Sequence, residues 1–419
     1  MAQTTRDNIP QGFQKTEVGV IPEDWEIRSI GEIASIIGGG TPSSFKNKYW
    51  NGNINWFTPT EIGDKKYASE SNRKITKEGF KNCSAKMLPK GTILLTSRAG
   101  IGNTAILLKE ACTNQGFQSL VVQLKTNNEF VYYVVNSITD VFIKNASGST
   151  FLEISPKKIK QILIPLPPTL AEQTAIANAL SDMDALIDAQ DKLIHKKRLI
   201  KQGAMQELLR PKEGWVEKKL GDITKLKNGY SFKSEYFTNK GPIVITPGNF
   251  QIQGGLKFHN KNTIRYSGMI NQEMQIKKGD LLIVMTDLTP SCNLLGKPGI
   301  INTNEVILHN QRIGKIIITN NIIHKSFLYY FFSSQIFSNR MKKTATGSTV
   351  RHTSASTIRN TIINFPELNH QQRIAQTLSD MDTEIEQLET QLTKYKQMKT
   401  GMMQELLTGK KRLNLDLKD

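Results

Sequence analysis

The chain has 419 residues, of which 38% are hydrophobic, enough for two or three domains that each bury a core. Its net charge of +18 favours a polyanionic partner such as nucleic acid. No stretch approaches about 18 uninterrupted apolar residues, so a membrane span is not expected. The polar start, residues 1–12, lacks an apolar signal core, and the three distant cysteines suggest neither a disulfide framework nor a zinc site. We therefore expect a cytoplasmic protein.

Residues 1–168 are predicted to form a mixed α/β domain with many short strands. Apolar runs at Thr92–Thr96, Thr104–Leu108 and Leu120–Leu124 are separated by glycine and asparagine turns such as Asn51-Gly52. The prolines that close this block predict that a helix can start only after residue 168.

Residues 169–210 are predicted to form one long helix. Its apolar positions recur in steps of four and three, the heptad pattern of a coiled-coil seam. The seam is interrupted by Gln190, Lys197 and Lys201, and Pro211 follows the helix. The apolar seam residues are Ile176, Leu180, Met183, Ile187, Ile194 and Leu208.

Residues 211–366 form a second block that echoes the first. Trp25 precedes Ile30–Ile33, and Trp215 precedes Leu220–Ile223 in the same way. A Gly-Ser-Thr turn follows in each block, at residues 148–150 and 347–349. Apolar runs at residues 280–286 and 313–318 again predict strands. The echo predicts two pseudo-symmetric domains whose surfaces have diverged.

Residues 367–409 repeat the long helix, and a basic tail, 410–419, follows. Ser-Asp-Met-Asp stands at Ser181–Asp184 and again at Ser379–Asp382, within an ungapped match in which nearly half of the positions are identical. We call the two helices the spacer helices, and we expect them to pair as an antiparallel coiled coil about 50 Å long. The seam residues of the second copy are Ile374, Leu378, Met381, Ile385, Leu388, Leu392, Tyr395, Met402 and Leu406.

No motif in the chain predicts catalysis or a metal site. A phosphate-binding loop with its lysine is absent, and Gly38–Thr41 fits a flexible loop better. The amino-methyltransferase signature is missing, and the six histidines show no metal-ligand spacing. The repeated carboxylates are expected to face solvent or a partner rather than a metal.

Several loops combine aromatic, basic and amide side chains, which suit DNA because lysine neutralises phosphates while arginine, asparagine and glutamine read base edges. The spacer segments are near neutral, so almost all of the positive charge falls on the two domains. The candidate DNA-binding residues are Lys46, Lys48, Tyr49, Arg98, Asn103 and Gln115 in the first domain, and Tyr230, Lys233, Asn310, Arg351 and His352 in the second.

The whole arrangement resembles the specificity subunit of type I restriction-modification systems. The residues that carry the resemblance are Pro165–Ala177 with Phe365–Ala375, the two Ser-Asp-Met-Asp helices, the paired Gly-Ser-Thr turns and the segment Gly19–Trp25. The second copy departs from the first in having His370 where Glu172 stands, which concerns the cap at the start of the helix.

The resemblance implies a non-catalytic subunit with two target-recognition domains, each reading half of an asymmetric, bipartite sequence in double-stranded DNA. It implies that the spacer helices set the gap and dock two methyltransferase subunits, through which restriction subunits join. No cofactor is expected in this chain, whereas S-adenosylmethionine, ATP and magnesium are expected in the partner subunits. Two alternatives stay open: a polyanion-binding coiled-coil adaptor, and a DNA methyltransferase or nuclease with an unrecognised site.

Overall fold

A computed structural model describes residues 9–148, 151–289 and 291–414. The chain divides into two compact units, one of residues 1–191 with 391–419 and one of residues 192–390. Each unit therefore combines one mixed α/β domain with part of both spacer helices. Within the described residues, no helix is both long enough and apolar enough to cross a membrane.

The first domain contains a five-stranded sheet of order β4-β11-β8-β9-β6 and a three-stranded sheet of order β10-β5-β7. The pairs β5·β10 and β6·β9 are parallel, whereas the other pairs of these two sheets are antiparallel. Two further antiparallel pairs join β1 to β2 and β3 to β12. The strands are β1 (Phe13–Thr16), β2 (Gly19–Pro22), β3 (Glu26–Ser29), β4 (Ala34–Gly38), β5 (Trp50–Phe57), β6 (Tyr67–Ala68), β7 (Arg73–Ile75), β8 (Ile93–Leu95), β9 (Thr104–Leu107), β10 (Cys112–Thr113), β11 (Gln118–Val122) and β12 (Leu163–Leu166).

The helices of this domain contact its two sheets, and the core extends from them to the first spacer helix. They are α1 (Ile30–Ile33), α2 (Lys77–Lys81), α3 (Asn128–Ser137), α4 (Thr139–Asn145), α5 (Pro156–Gln161) and the first spacer helix, α6 (Leu170–Leu208). Phe130 and Tyr133 of α3 and Leu180 of α6 are buried in one apolar cluster with Trp25. Because these residues share a core, the spacer helix begins as part of the domain.

The second domain repeats this plan with two four-stranded sheets, β14-β22-β18-β20 and β16-β15-β21-β17, and with the pairs β13·β24 and β19·β23. The strands are β13 (Val216–Lys219), β14 (Thr224–Asn228), β15 (Phe237–Ile245), β16 (Ile264–Tyr266), β17 (Gln275–Ile276), β18 (Leu281–Val284), β19 (Thr286–Asp287), β20 (Pro298–Ile300), β21 (Ile307–His309), β22 (Ile313–Ile318), β23 (Arg351–His352) and β24 (Ile362–Phe365). The helices are α7 (Leu220–Ile223), α8 (Lys325–Ser333), α9 (Gln335–Lys343), α10 (Ala355–Arg359) and the second spacer helix, α11 (Leu368–Leu406).

The two domains resemble each other in how their first helices begin as well as in their sheets, although the sheets differ in strand number. Helix α1 starts where the backbone N–H of Ser29 donates to Glu32 at 2.6 Å, and α7 starts where that of Lys219 donates to Asp222 at 3.2 Å. Each carboxylate satisfies an N–H that a helix start leaves without a partner. The faint echo between the two blocks therefore corresponds to equivalent elements, and the prediction of two pseudo-symmetric α/β domains is confirmed.

A buried glutamine fastens the start of each spacer helix. Gln173 donates to the carbonyl of Pro167 at 3.0 Å and accepts from the N–H of Asn127, the residue that caps α3, at 2.9 Å. Gln371 donates to the carbonyl of Pro366 and accepts from the N–H of His324, both at 2.8 Å. The exchange of Glu172 for His370 therefore leaves this fastening unchanged.

The spacer helices lie antiparallel where they meet within each unit. In the first unit, Asp184 pairs with Lys399 at 2.5 Å and Asp191 with Lys396 at 3.9 Å. As residue numbers rise along α6, those of the partners along α11 fall. In the second unit, Lys197 pairs with Glu384 and Lys201 with Asp382, which shows the same order. Arg198 pairs with Glu389 in the same contact.

The predicted apolar seam positions are all buried or half-buried. Ile176 and Leu180 belong to the core of the first domain, and Ile374 and Leu378 to that of the second. The seam therefore faces a domain at the start of each helix, and its last residues, Leu406 and Leu208, pack against the cores of the first and the second domain respectively. The polar positions also have partners, since Gln190 donates to Gln391 at 3.2 Å.

Candidate nucleic-acid interface

In the first domain, backbone hydrogen bonds join four loops into one surface. The N–H of Gly40 donates to Thr113 at 2.9 Å, which ties the loop of residues 39–46 to the loop of residues 114–116. The N–H of Ser97 donates to Gly116 at 2.8 Å, and that of Ile154 donates to Ser97 at 3.0 Å. These bonds add the turn of residues 97–103 and the residues around the antiparallel bridge between Ser147 and Glu153. We call these four segments the first loop surface.

Close backbone packing explains the glycines of this surface. A Cβ atom at Gly39 would lie 2.0 Å from the carbonyl oxygen of Asn114, and one at Gly40 would lie 2.4 Å from the backbone nitrogen of Ala85. Larger residues would separate the loops. Gly38–Thr41 therefore packs tightly, where the sequence had suggested a flexible loop. Ser149 and Thr150 of the Gly-Ser-Thr turn lie outside the described residues.

The predicted residues of the first domain fall into an exposed set and a supporting set. Gln115 is exposed and accepts a hydrogen bond from Thr41, while Arg98 lies 3.9 Å from Glu153. Asn103 is exposed, and its amide donates to the carbonyl of Ile62 at 3.4 Å, which holds the turn. The structure therefore brings Gln115, Arg98 and Asn103 to one loop surface.

Lys46, Lys48 and Tyr49 lie at the end of the same loop but differ in accessibility. The Tyr49 ring is buried, so it is not exposed for direct stacking on a base. Its hydroxyl accepts from Lys46 at 3.3 Å, and both lysines lie over its ring. Lys48 also pairs with Glu78 at 2.5 Å, and this carboxylate raises the pKa of the lysine. Lys46 and Lys48 remain exposed cations that Tyr49 supports from below.

The second domain assembles the equivalent surface from equivalent segments. The N–H of Tyr230 donates to His309 at 2.7 Å, and the N–H of Gln311 donates back to Tyr230 at 2.8 Å. The N–H of Thr353 donates to Met285 at 3.0 Å, and Thr346 pairs with His352 across a hairpin. We call residues 229–233, 285–289, 309–312 and 346–352 the second loop surface.

Four of the five residues predicted in the second domain take part in the strand or bridge pairing of this surface. Tyr230 and Asn310 form a parallel bridge, and Arg351 and His352 form β23 opposite Asp287 and Thr286. The Nδ1 atom of His352 lies 3.2 Å from the hydroxyl of Thr286. Lys233 is exposed at the end of the first segment and lies 3.7 Å from Glu235.

Sequence reasoning missed the tyrosines that join each domain to the spacer helices. The hydroxyl of Tyr133 donates to Asp184 at 2.7 Å, and that of Tyr330 donates to Asp382 at 2.9 Å. Burial raises the pKa of both phenols above the ordinary range, so they stay neutral donors. A usable signal existed in the repeated pattern Phe-x-Tyr-Tyr, at residues 130–133 and 327–330.

The geometry supports recognition more than catalysis. The exposed groups of the two loop surfaces are amides, guanidinium and ammonium groups, an imidazole and hydroxyls, which bind phosphates and base edges. Their arrangement is fixed by backbone hydrogen bonds of the underlying domain, which leaves the side chains free to differ between the two domains.

Comparison with known proteins agrees with a role in recognition. The family model described as the type I restriction modification DNA specificity domain matches the chain twice, over residues 22–196 and 212–394. The MjaIX specificity subunit of Methanocaldococcus jannaschii is 36% identical over 55% of this chain and 60% of its own length, which is less than two thirds of that relative. The MjaVIII specificity subunit of the same organism is 25% identical over 94% of both chains.

Solved structures show the same fold. The S subunit of a type I restriction-modification system from M. genitalium has a TM-score of 0.54 at 18% identity, covering 91% of this chain and 96% of its own. A chain from a study of complex assembly and conformational transition of a type I system has a TM-score of 0.61 at 15% identity, covering 93% and 99%. With its two domain matches, the chain belongs to the family of type I restriction-modification DNA specificity subunits.

Proposed function

We propose that this chain is the non-catalytic subunit that gives a type I restriction-modification complex its DNA sequence specificity. The observation that carries the proposal is the doubled loop surface. Two equivalent sets of four segments are held by matching backbone hydrogen bonds, yet they expose different side chains. A common scaffold with different surfaces suits the reading of two unlike half-sites in one duplex.

The side chains differ in the chemistry that they offer to DNA. The first loop surface offers the exposed Gln115 and the half-buried Arg98, whose side chains suit adenine and guanine respectively. The second offers Asn310, Arg351 and His352 from different positions of its loops. Lysines at the loop ends supply phosphate contacts that carry affinity without sequence information. The target is therefore expected to be bipartite and asymmetric.

The repeated spacer helices are the proposed docking surface for partner subunits. Because nearly half of the positions are identical in the two helices, two identical methyltransferase subunits could dock at equivalent places although the DNA target is asymmetric. Restriction subunits would then join through the methyltransferases. In this proposal S-adenosylmethionine, ATP and magnesium act in those partners, and this chain supplies recognition.

The test is selection of duplexes from a sequence-randomised DNA pool by the full-length chain, with structured RNA as competitor. The proposal predicts enrichment of two separated half-sites and little competition by RNA. Equal affinity for RNA and DNA would favour a general polyanion adaptor. Methyl transfer to DNA by the purified chain without partner subunits would show that it is an enzyme and would overturn the proposal.

A further inference from the structure

Arg73 of the first domain lies flat against a pair of buried tryptophans. Its guanidinium carbon is 3.8 Å from the centre of the Trp50 ring and 5.4 Å from that of Trp56. The two indoles meet edge to face at 5.1 Å, and both are at least nine-tenths buried. A guanidinium over an aromatic face is attracted by the ring, so its plane is oriented before any ligand arrives.

The hydrogen-bonding capacity of this side chain is unused. Arg73 is exposed, and within the described ranges it forms no ion pair and donates no side-chain hydrogen bond. Arg28 in the same domain differs, because its guanidinium pairs with Glu26 at 2.8 Å. A guanidinium has five N–H donors in a planar fork and cannot lose its charge at ordinary pH. The Arg73 guanidinium is therefore held in one orientation, and its N–H groups can still donate to a ligand.

The tryptophans under Arg73 also hold the first loop surface. The indole N–H of Trp50 donates to the carbonyl of Ser43 at 3.2 Å, and that of Trp56 donates to the carbonyl of Gly40 at 2.8 Å. Both carbonyls belong to the loop of residues 39–46. The same two rings thus fix the loop and support the guanidinium, which places Arg73 at the margin of that surface.

The second domain has the same strands without this arrangement. Trp56 lies opposite Arg73 in the pair β5·β7, and Val244 lies opposite Ile264 in the equivalent pair β15·β16. Both strand pairs contain a shift in register, so this irregularity of strand pairing occurs in both domains. Because the fold forms without a stacked arginine in the second domain, the scaffold does not require one.

We propose that Arg73 is a DNA-contacting residue of the first domain that binds two neighbouring acceptor atoms with its guanidinium fork. The inference rests on the proposed function and deepens it by assigning one residue of the interface. The acceptors that match such a fork are two oxygens of a backbone phosphate, or O6 and N7 of a guanine. Stacking on Trp50 limits the freedom that the side chain loses on binding.

The experiment compares the full-length wild type with Arg73→Lys, which keeps the charge, and Arg73→Met, which keeps apolar cover of the indole. Arg28→Met is the matched control, because it removes an exposed, ion-paired arginine from the same domain. Each protein is used in selections from a sequence-randomised duplex pool, and its affinity for the selected duplex is measured in a salt series. Thermal unfolding of each variant shows whether the fold is retained.

Guanine contact predicts that both Arg73 variants lose a guanine preference of about tenfold or more at one position of one half-site, while the other half-site is unchanged. Phosphate contact predicts that Arg73→Met weakens binding to all sequences alike and lowers the salt slope by about one. A wild-type sequence preference that persists unchanged in both variants, with an unchanged salt slope, would overturn the inference alone. A wild type without any sequence preference would instead overturn the proposed function.

Discussion

Lys399 and Asp184 join the two spacer helices in the first unit through an ion pair of 2.5 Å. The pair is repeated in the second unit by Lys201 and Asp382. Both lysines interrupt the apolar heptads, and both aspartates end a Ser-Asp-Met-Asp motif. The lysines that interrupt the apolar seam and the aspartates of the repeated motif are therefore the two partners of one kind of ion pair.

Asp184→Asn is expected to lower the free energy of unfolding by about 1–2 kcal/mol. The carboxylate is 24% exposed and Lys399 is 27% exposed, so solvent screens the pair incompletely. The substitution also weakens the acceptor of the Tyr133 hydroxyl. Urea unfolding of the full chain measures the change, and Asp188→Asn, on an exposed position of the same helix, is the control. Equal losses in both variants would contradict a specific role for Asp184.

Gln371→Ala should destabilise the protein more, by about 2–4 kcal/mol. The side chain is fully buried, and its removal leaves the N–H of His324 and the carbonyls of Ile322 and Pro366 without their partner. The same unfolding measurement applies, with the exposed Gln372→Ala as control. A loss of stability no larger than that of the control would show that the hydrogen bonds of Gln371 at the helix start contribute little to the free energy of unfolding.

Stability is expected to fall at alkaline pH because buried phenols must ionise on unfolding. Burial raises the pKa of Tyr132 and of Tyr329 from 10.0 to about 12. Since the folded pKa is raised, this contribution is complete below pH 10 and is lost as pH rises through about 12. Urea unfolding at a series of pH values should show a shallower decline for Tyr132→Phe than for the exposed control Tyr236→Phe. If the stability of Tyr132→Phe falls with pH as steeply as that of the control, the buried phenol of Tyr132 does not contribute to the decline.

Single substitutions on the two loop surfaces should each affect one half-site. Gln115→Ala is expected to relax base preference in one half-site and Asn310→Ala in the other, by about 1–3 kcal/mol at the position read. Selection from a randomised duplex pool gives both preferences in one experiment. Loss of preference in both half-sites from either substitution would contradict the assignment of one surface to each half-site.

Much of the scaffold could be predicted because it depends on periodic patterns. The strand at Ile313–Ile318 and the two helices after the proline stretches follow from alternation and heptads. Contacts between distant segments could not be predicted in this way. The fastening by Gln173 and the stacking of Arg73 on Trp50 depend on side-chain placement in three dimensions, which no local pattern records. The burial of the Tyr49 ring could not be predicted either, because a loop position gives no indication that a side chain is buried.

Independent reading by the two domains is tested by exchange of residues 211–366 for the corresponding block of another specificity subunit, followed by mapping of methylated bases in cells carrying the complete system. Two independently reading domains predict that one half-site changes completely while the other half-site is retained. A change in both half-sites, or in neither, would contradict the claim that each domain reads its own half of the target.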